Sequence, residues 1–147
     1  MLNSRCRYAL KALGFLAREP RAPHTTEQIA VETAIPLATL AKILQSLNHA
    51  GLVKTQRGVG GGVELASDPT SLNVKQVIEA IDPASLVYYG TMHQVVCPGL
   101  ARRLTVIEEL TRFVLRETTL SELIDKSAES DSILDRKLDQ VSALIRD

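Results

Sequence analysis

The tightest constraint on this chain lies between Thr26 and Ala66. There, two short amphipathic patterns are followed by the stop Ala50-Gly51-Leu52-Val53 and by two brief β-prone runs around a glycine-rich tip that carries one arginine. This order, helix, turn, helix, strand, loop, strand, predicts a winged helix-turn-helix whose second helix can lie in a DNA major groove. The expected fold is mainly α with a small β-wing.

The second helix of that unit carries the argument. Pro36 suits a first helical turn, where its missing N–H would be unpaired in any case. Leu37, Leu40, Leu44 and Leu47 recur at helical spacing, with Ile43 widening the stripe, so this face is expected to be core. The opposite arc holds Ala38, Thr39, Lys42, Gln45, Ser46 and His49, with no acid among them. A solvated helix usually mixes Glu with Lys on its outer face. An arc without acids points instead to a polyanionic partner.

The β-prone runs, Leu52–Gln56 and Val63–Ala66, read as a hairpin. Between them, Arg57-Gly58-Val59-Gly60-Gly61-Gly62 lets backbone approach another surface closely, Gly61 included. Arg57 at its base is placed to enter a minor groove, and Lys54 to meet a phosphate. A nucleotide-cradling loop is the rival reading. It fails because no Gly-Lys-Ser/Thr follows and the loop leads into a strand rather than a helix N-terminus.

At these residues the chain resembles the IscR/NsrR/CymR family of bacterial repressors. The resemblance begins at Met1-Leu2-Asn3-Ser4-Arg5 and Arg7–Leu13. It continues through Gln28-Ile29-Ala30, Leu40–Leu44, Ala50–Val53, Arg57–Gly62 and Val74, Val77 and Ile78, and returns at Thr119–Leu123. It implies a dimeric, non-enzymatic winged-helix transcription regulator over roughly residues 1–126, with Thr26 and Gln28 at the start of the first of the two helices touching phosphates.

A chain of 147 residues, 45% hydrophobic, has enough apolar content for one domain and an appendage. No apolar run approaches membrane-spanning length, and no charged segment precedes an apolar one at the start. The expectation is therefore a cytoplasmic protein with no membrane partner. Two cysteines fit a reducing compartment, and the absence of Trp argues against single-strand stacking surfaces. Net charge is zero but unevenly divided. Residues 1–66 carry 8 Lys+Arg against 4 Asp+Glu, and residues 67–147 carry 9 against 13, so the basic half is the half with the helix-turn-helix.

Taken in order, residues 3–18 are expected to form a widely apolar first helix. Glu19–Pro23 is a linker, and Thr25 or Thr26 caps a second helix whose Ile29, Ala30 and Ala34 pack inward. Asn73 caps a short helix over Val74–Ile81, stopped by Asp82-Pro83. Leu100–Glu117 is a long helix whose Leu100, Leu104, Ile107, Leu110 and Val114 exceed what its own subunit can bury, which predicts a homodimer. Thr118 or Thr119 caps Leu120–Lys126, and a tail over 132–147 repeats apolar residues at heptad spacing. The expected organisation is a DNA-binding domain over 1–82, a sensor or linker loop over 83–99, a dimerisation helix and short helix over 100–126, and a tail helix over 127–147.

The sensing candidates are Cys97, His93 and Cys6. Cluster-bearing members of the family place three cysteines before the long helix, whereas this chain has only Cys97 there. A cluster needs four donors, and Cys97, His93 and a partner subunit's Cys6 leave it one short unless another group joins. The expectation is thus no cofactor and no metal, with an iron–sulfur cluster on non-standard ligands as the alternative. Cys97 precedes a helix N-terminus with Arg102 and Arg103 nearby, a setting that favours thiolate and redox sensing. Packing is the rival for Cys97 and the expectation for Cys6. A small-molecule effector between Tyr88-Tyr89 and the long helix, or a docked protein effector, are the remaining routes of control.

Overall fold

A computed structural model of the chain describes residues 3–86 and 98–125. Cys97, His93, Tyr88-Tyr89 and the tail lie outside the described residues, as does the Arg102 side chain.

Helix α1, Ser4–Leu16, starts at Asn3, whose side-chain oxygen accepts the Cys6 N–H at 2.8 Å. Its Cys6, Ala9, Ala12, Leu13 and Leu16 are buried, and Tyr8, Leu10 and Phe15 pack half-buried against the same core. Helix α2, Thr26–Thr33, opens with a reciprocal cap in which Thr25 and Gln28 each bond the other's backbone N–H. That arrangement satisfies two donors a helix start otherwise leaves open. Helix α3, Leu37–His49, follows after a bend of 115°, within the range for DNA-binding helix pairs.

Two sequence expectations fail around this bend. Ala34 is exposed rather than packed inward, because it ends α2 in the left-handed region (φ 51°, ψ 39°) and so leaves the helical path. Leu37 is 48% exposed rather than core. Helical side chains lean toward the N-terminus, so a first-turn residue overhangs the edge of the packed face. Leu40, Ile43, Leu44 and Leu47 are buried as their spacing predicts.

Strands β1, Val53–Gln56, and β2, Gly62–Leu65, pair antiparallel, with Val53 opposite Leu65 and Gln56 opposite Gly62. The sequence linker adds a third backbone to this wing. His24 N–H donates to the Val63 carbonyl at 3.0 Å, and Val63 N–H donates back at 2.8 Å. The His24 ring stands edge-on to Phe15 at 4.9 Å, tying the wing to α1.

Helix α4, Val74–Ile81, carries a second reciprocal cap between Asn73 and Gln76 and buries Val74, Val77, Ile78 and Ile81. A 3₁₀ turn, Pro83–Leu86, follows. Helix α5 runs from Pro98 to Glu117, and Thr119 caps α6, Leu120–Ile124, which is shorter than the sequence pattern implied. The α5–α6 junction is bound to the start of α4. Val74 N–H donates to the Thr118 carbonyl at 3.0 Å, and Leu120 N–H to the Leu72 carbonyl at 2.7 Å. Leu120 is buried beneath that clamp.

Candidate nucleic-acid interface

The buried stripe of α3 fixes what its other side presents. With Leu40, Ile43, Leu44 and Leu47 turned into the core, Ala38, Lys42, Gln45 and His49 are exposed, and Thr39 and Ser46 are half-buried beside them. The Ser46 hydroxyl donates to the Lys42 carbonyl at 3.2 Å, which leaves its oxygen lone pairs outward as acceptors. No acid interrupts this face. All six candidate residues of α3 therefore share one surface, small at one edge and cationic or hydrogen-bonding across the rest.

The wing stands next to that surface. Thr55 donates to the Asn48 side-chain oxygen at 3.3 Å, joining the end of α3 to β1. Asn48 was not singled out in the sequence; a polar residue next to a helix end carries no signal of a strand partner seven residues on. Alternation along β1 then turns Lys54 to the other face of the hairpin. There it lines a hollow of about 280 Å³ with Arg21, Glu64 and Asp68, and Glu64 is its cross-strand neighbour. Lys54 thus sits apart from the α3 surface and close to two carboxylates. Asp68 keeps its charge readily: the Thr70 hydroxyl and backbone N–H both donate to it and hold its carboxyl below the usual value.

Arg57 is exposed where the hairpin turns. From there Gly58 accepts the Gly61 N–H at 3.0 Å, closing a tight turn in which Gly60 takes φ 76°, the value a type II turn needs at its third residue. Gly61 is half-buried, and a side chain there would strike the Gln56 carbonyl oxygen at 2.3 Å. Its smallness serves the shape of the loop.

At the start of α2, Gln28 is exposed and Thr26 half-buried. The Gln28 carbonyl oxygen is spent on the cap, so its amide N–H₂ remains the group for an outside acceptor. Cys6 is fully buried in the core, and among the described residues no group of three or more His, Cys, Asp and Glu is placed to hold a metal. No single helix among them is long and apolar enough to cross a membrane.

The chain is similar to known transcription regulators. The chain is 39% identical over 72 residues to the HTH-type transcriptional regulator NsrR of Bacillus subtilis, covering 48% of this chain and 49% of that one. Against NsrR of Halalkalibacterium halodurans it is 28% identical over 143 residues, 92% of this chain and 98% of that one. Other curated relatives are spanned over little more than half their length, 56% and 57%. The solved structure of CymR, the global cysteine regulator of B. subtilis, has the same fold, with a TM-score of 0.73 over 86% of this chain and 98% of that one at 24% identity. The family model Rrf2, described as an iron-dependent transcriptional regulator, matches residues 2–126. On that match the chain belongs to the Rrf2 family of winged-helix transcription regulators, a family of regulators rather than enzymes.

Proposed function

We propose that this protein is a cytoplasmic homodimeric repressor of a near-palindromic operator in double-stranded DNA. The observation that carries the reading is the acid-free outer face of α3, exposed beside a wing with Arg57 at its turn. Thr39, Lys42, Gln45 and Ser46 would meet base edges in the major groove, with Ala38 allowing close approach and His49 at the rim. Arg57 would enter the flanking minor groove. Thr26, Gln28 and Lys54 would position the backbone. The second protomer would pair through α5, where Leu100 and Ile107 are exposed and Leu104, Leu110 and Val114 half-buried. The domain boundaries follow, with the DNA-binding unit up to residue 82 and dimerisation from residue 100.

The family's description names iron, whereas the sequence holds two cysteines and a cluster needs four donors. One of the two, Cys6, is sealed in the core. We therefore read the regulator as working without a resident cluster, and the expected result on anaerobic purification is a colourless protein. Control would then come through oxidation at Cys97, a small effector or a docked protein.

The reading is tested on duplexes recovered by the protein from a randomised library. Thr39→Ala, Lys42→Ala and Gln45→Ala should each change which base is preferred at one position, with about 1–3 kcal/mol of discrimination at stake. Arg57→Ala should weaken binding without changing which bases are preferred under α3. Lys54→Ala should do likewise. Equal effects of all five changes on every duplex would overturn the assignment of the reading face.

A further inference from the structure

Val59 is the most exposed large apolar residue among those described, at 111% of its reference area. It sits at the second position of the Gly58–Gly61 turn, between two glycines with φ of 99° and 76°. The fold gives it no neighbour to pack on, yet it fixes the path of the backbone on either side. The 58–61 hydrogen bond closes the turn, and Gly61 lies against the Gln56 carbonyl with no room for a side chain. Gly62 in turn is pressed onto the His24 backbone, where a Cβ would come within 2.7 Å. A loop built this tightly from the α1–α2 linker upward projects one branched apolar side chain at its tip. Arg57, one residue before the turn, brings a cation to the same edge.

From this geometry we infer that Val59 is a specificity residue that reads the floor of the minor groove, excluding guanine from the base pairs under the wing. The inference rests on the proposed placement of the wing in the minor groove. There, A·T and T·A pairs show only acceptors, and a G·C pair adds the guanine N2 amino group. That amino group stands up from the floor and is a donor. Two methyl groups pressed over it offer no acceptor, so its hydrogen bond to water is lost without replacement. Acceptors covered in the same way are less costly to leave under-satisfied. An apolar tip thus selects by steric exclusion and by polarity at once, while the Arg57 cation gains from the narrow, electronegative groove of A·T-rich sequence. Recognition of this kind carries no signature in the major groove.

The test uses the full chain and a duplex it recovers from a randomised library. Each base pair outside the α3 contacts is replaced in turn by G·C or by inosine·C. Inosine lacks only the N2 amino group, so the major-groove edge stays the same. Wild type should bind inosine·C about tenfold tighter than G·C at the pairs under the wing. In Val59→Ala that ratio should fall to about twofold or less with thermal melting unchanged, because the side chain packs on nothing. Should discrimination survive Val59→Ala, or be absent from wild type while Arg57→Ala still loses affinity, the role of Val59 is overturned and the wing placement stands. Should no position distinguish inosine·C from G·C and Arg57→Ala bind like wild type, the wing placement itself falls, and this inference with it.

Discussion

A methyl group on Gly61 would stand 2.3 Å from the Gln56 carbonyl oxygen and 3.0 Å from two backbone carbons, none of which can move without opening the hairpin. Forcing it in costs about 1–3 kcal/mol if the loop keeps its shape. Deforming the tip is easier, since the core lies elsewhere. Gly61→Ala should therefore leave the melting of the domain nearly unchanged while weakening DNA binding several-fold; a large drop in melting temperature with intact binding would contradict it. Ala34 poses the opposite case. A left-handed L-residue costs about 1–2 kcal/mol, and a glycine there returns about 0.4–1 kcal/mol of that through the unfolded chain. Ala34→Gly should raise stability by the remainder, about 0.5–1 kcal/mol, read from a denaturant midpoint. Neither position was fully legible beforehand. The Gly-rich run announced a close approach, but only the folded loop says which glycine lacks room. Ala34 looked like a core residue because spacing alone cannot reveal where a helix leaves its own path.

Local rules served the elements well. Asn73 was legible as a cap, as was the start of α2, because a cap and its partner lie within one turn. The pairing of His24 with Val63 was not, since residues far apart in sequence meet there without any alternating pattern. Helix α5 shows both sides of this. Its apolar surplus was legible, and Leu115 near its clamped end packs on the core while Leu100, Val106 and Ile107 face outward. Arg112 and Glu108 on this helix are paired with each other, with the Glu108 side chain largely covered. A two-fold interface places every substitution twice. Ile107→Glu would therefore forfeit the burial of two apolar side chains and set two carboxylates into the seam. Weakening of the dimer by about 2–4 kcal/mol is expected. Sedimentation should show a monomer at micromolar concentration with the winged core still folded, as Ile107 is no part of that core. A dimer that persists unchanged would place the interface elsewhere.

At the scale of the molecule, the division of charge sets the geometry of binding. The basic half carries the α3 surface, so a dimer built through α5 presents two positive faces, while α5 itself is nearly balanced, with four Arg against three Glu. Two recognition helices held by one rigid seam measure distance along the duplex. Half-sites should be centred about one helical turn apart, roughly 34–36 Å, or a multiple of it. Inserting about 5 base pairs between them turns one half-site to the far side of the duplex. Affinity should then drop to that of a single half-site, because the second α3 can no longer reach its groove. The Ile107→Glu protein, bound one protomer at a time, should not notice the insertion. Salt dependence supplies an independent count of the same arrangement. Each phosphate-neutralising cation contributes a slope of about −0.9 in log K against log salt. Arg57→Ala should thus flatten the slope by about two units for the dimer on its palindrome but by about one for the Ile107→Glu monomer on a half-site. A change of one unit in both would mean that only one wing touches DNA at a time, and the two-fold complex would have to be abandoned in favour of a single bound protomer.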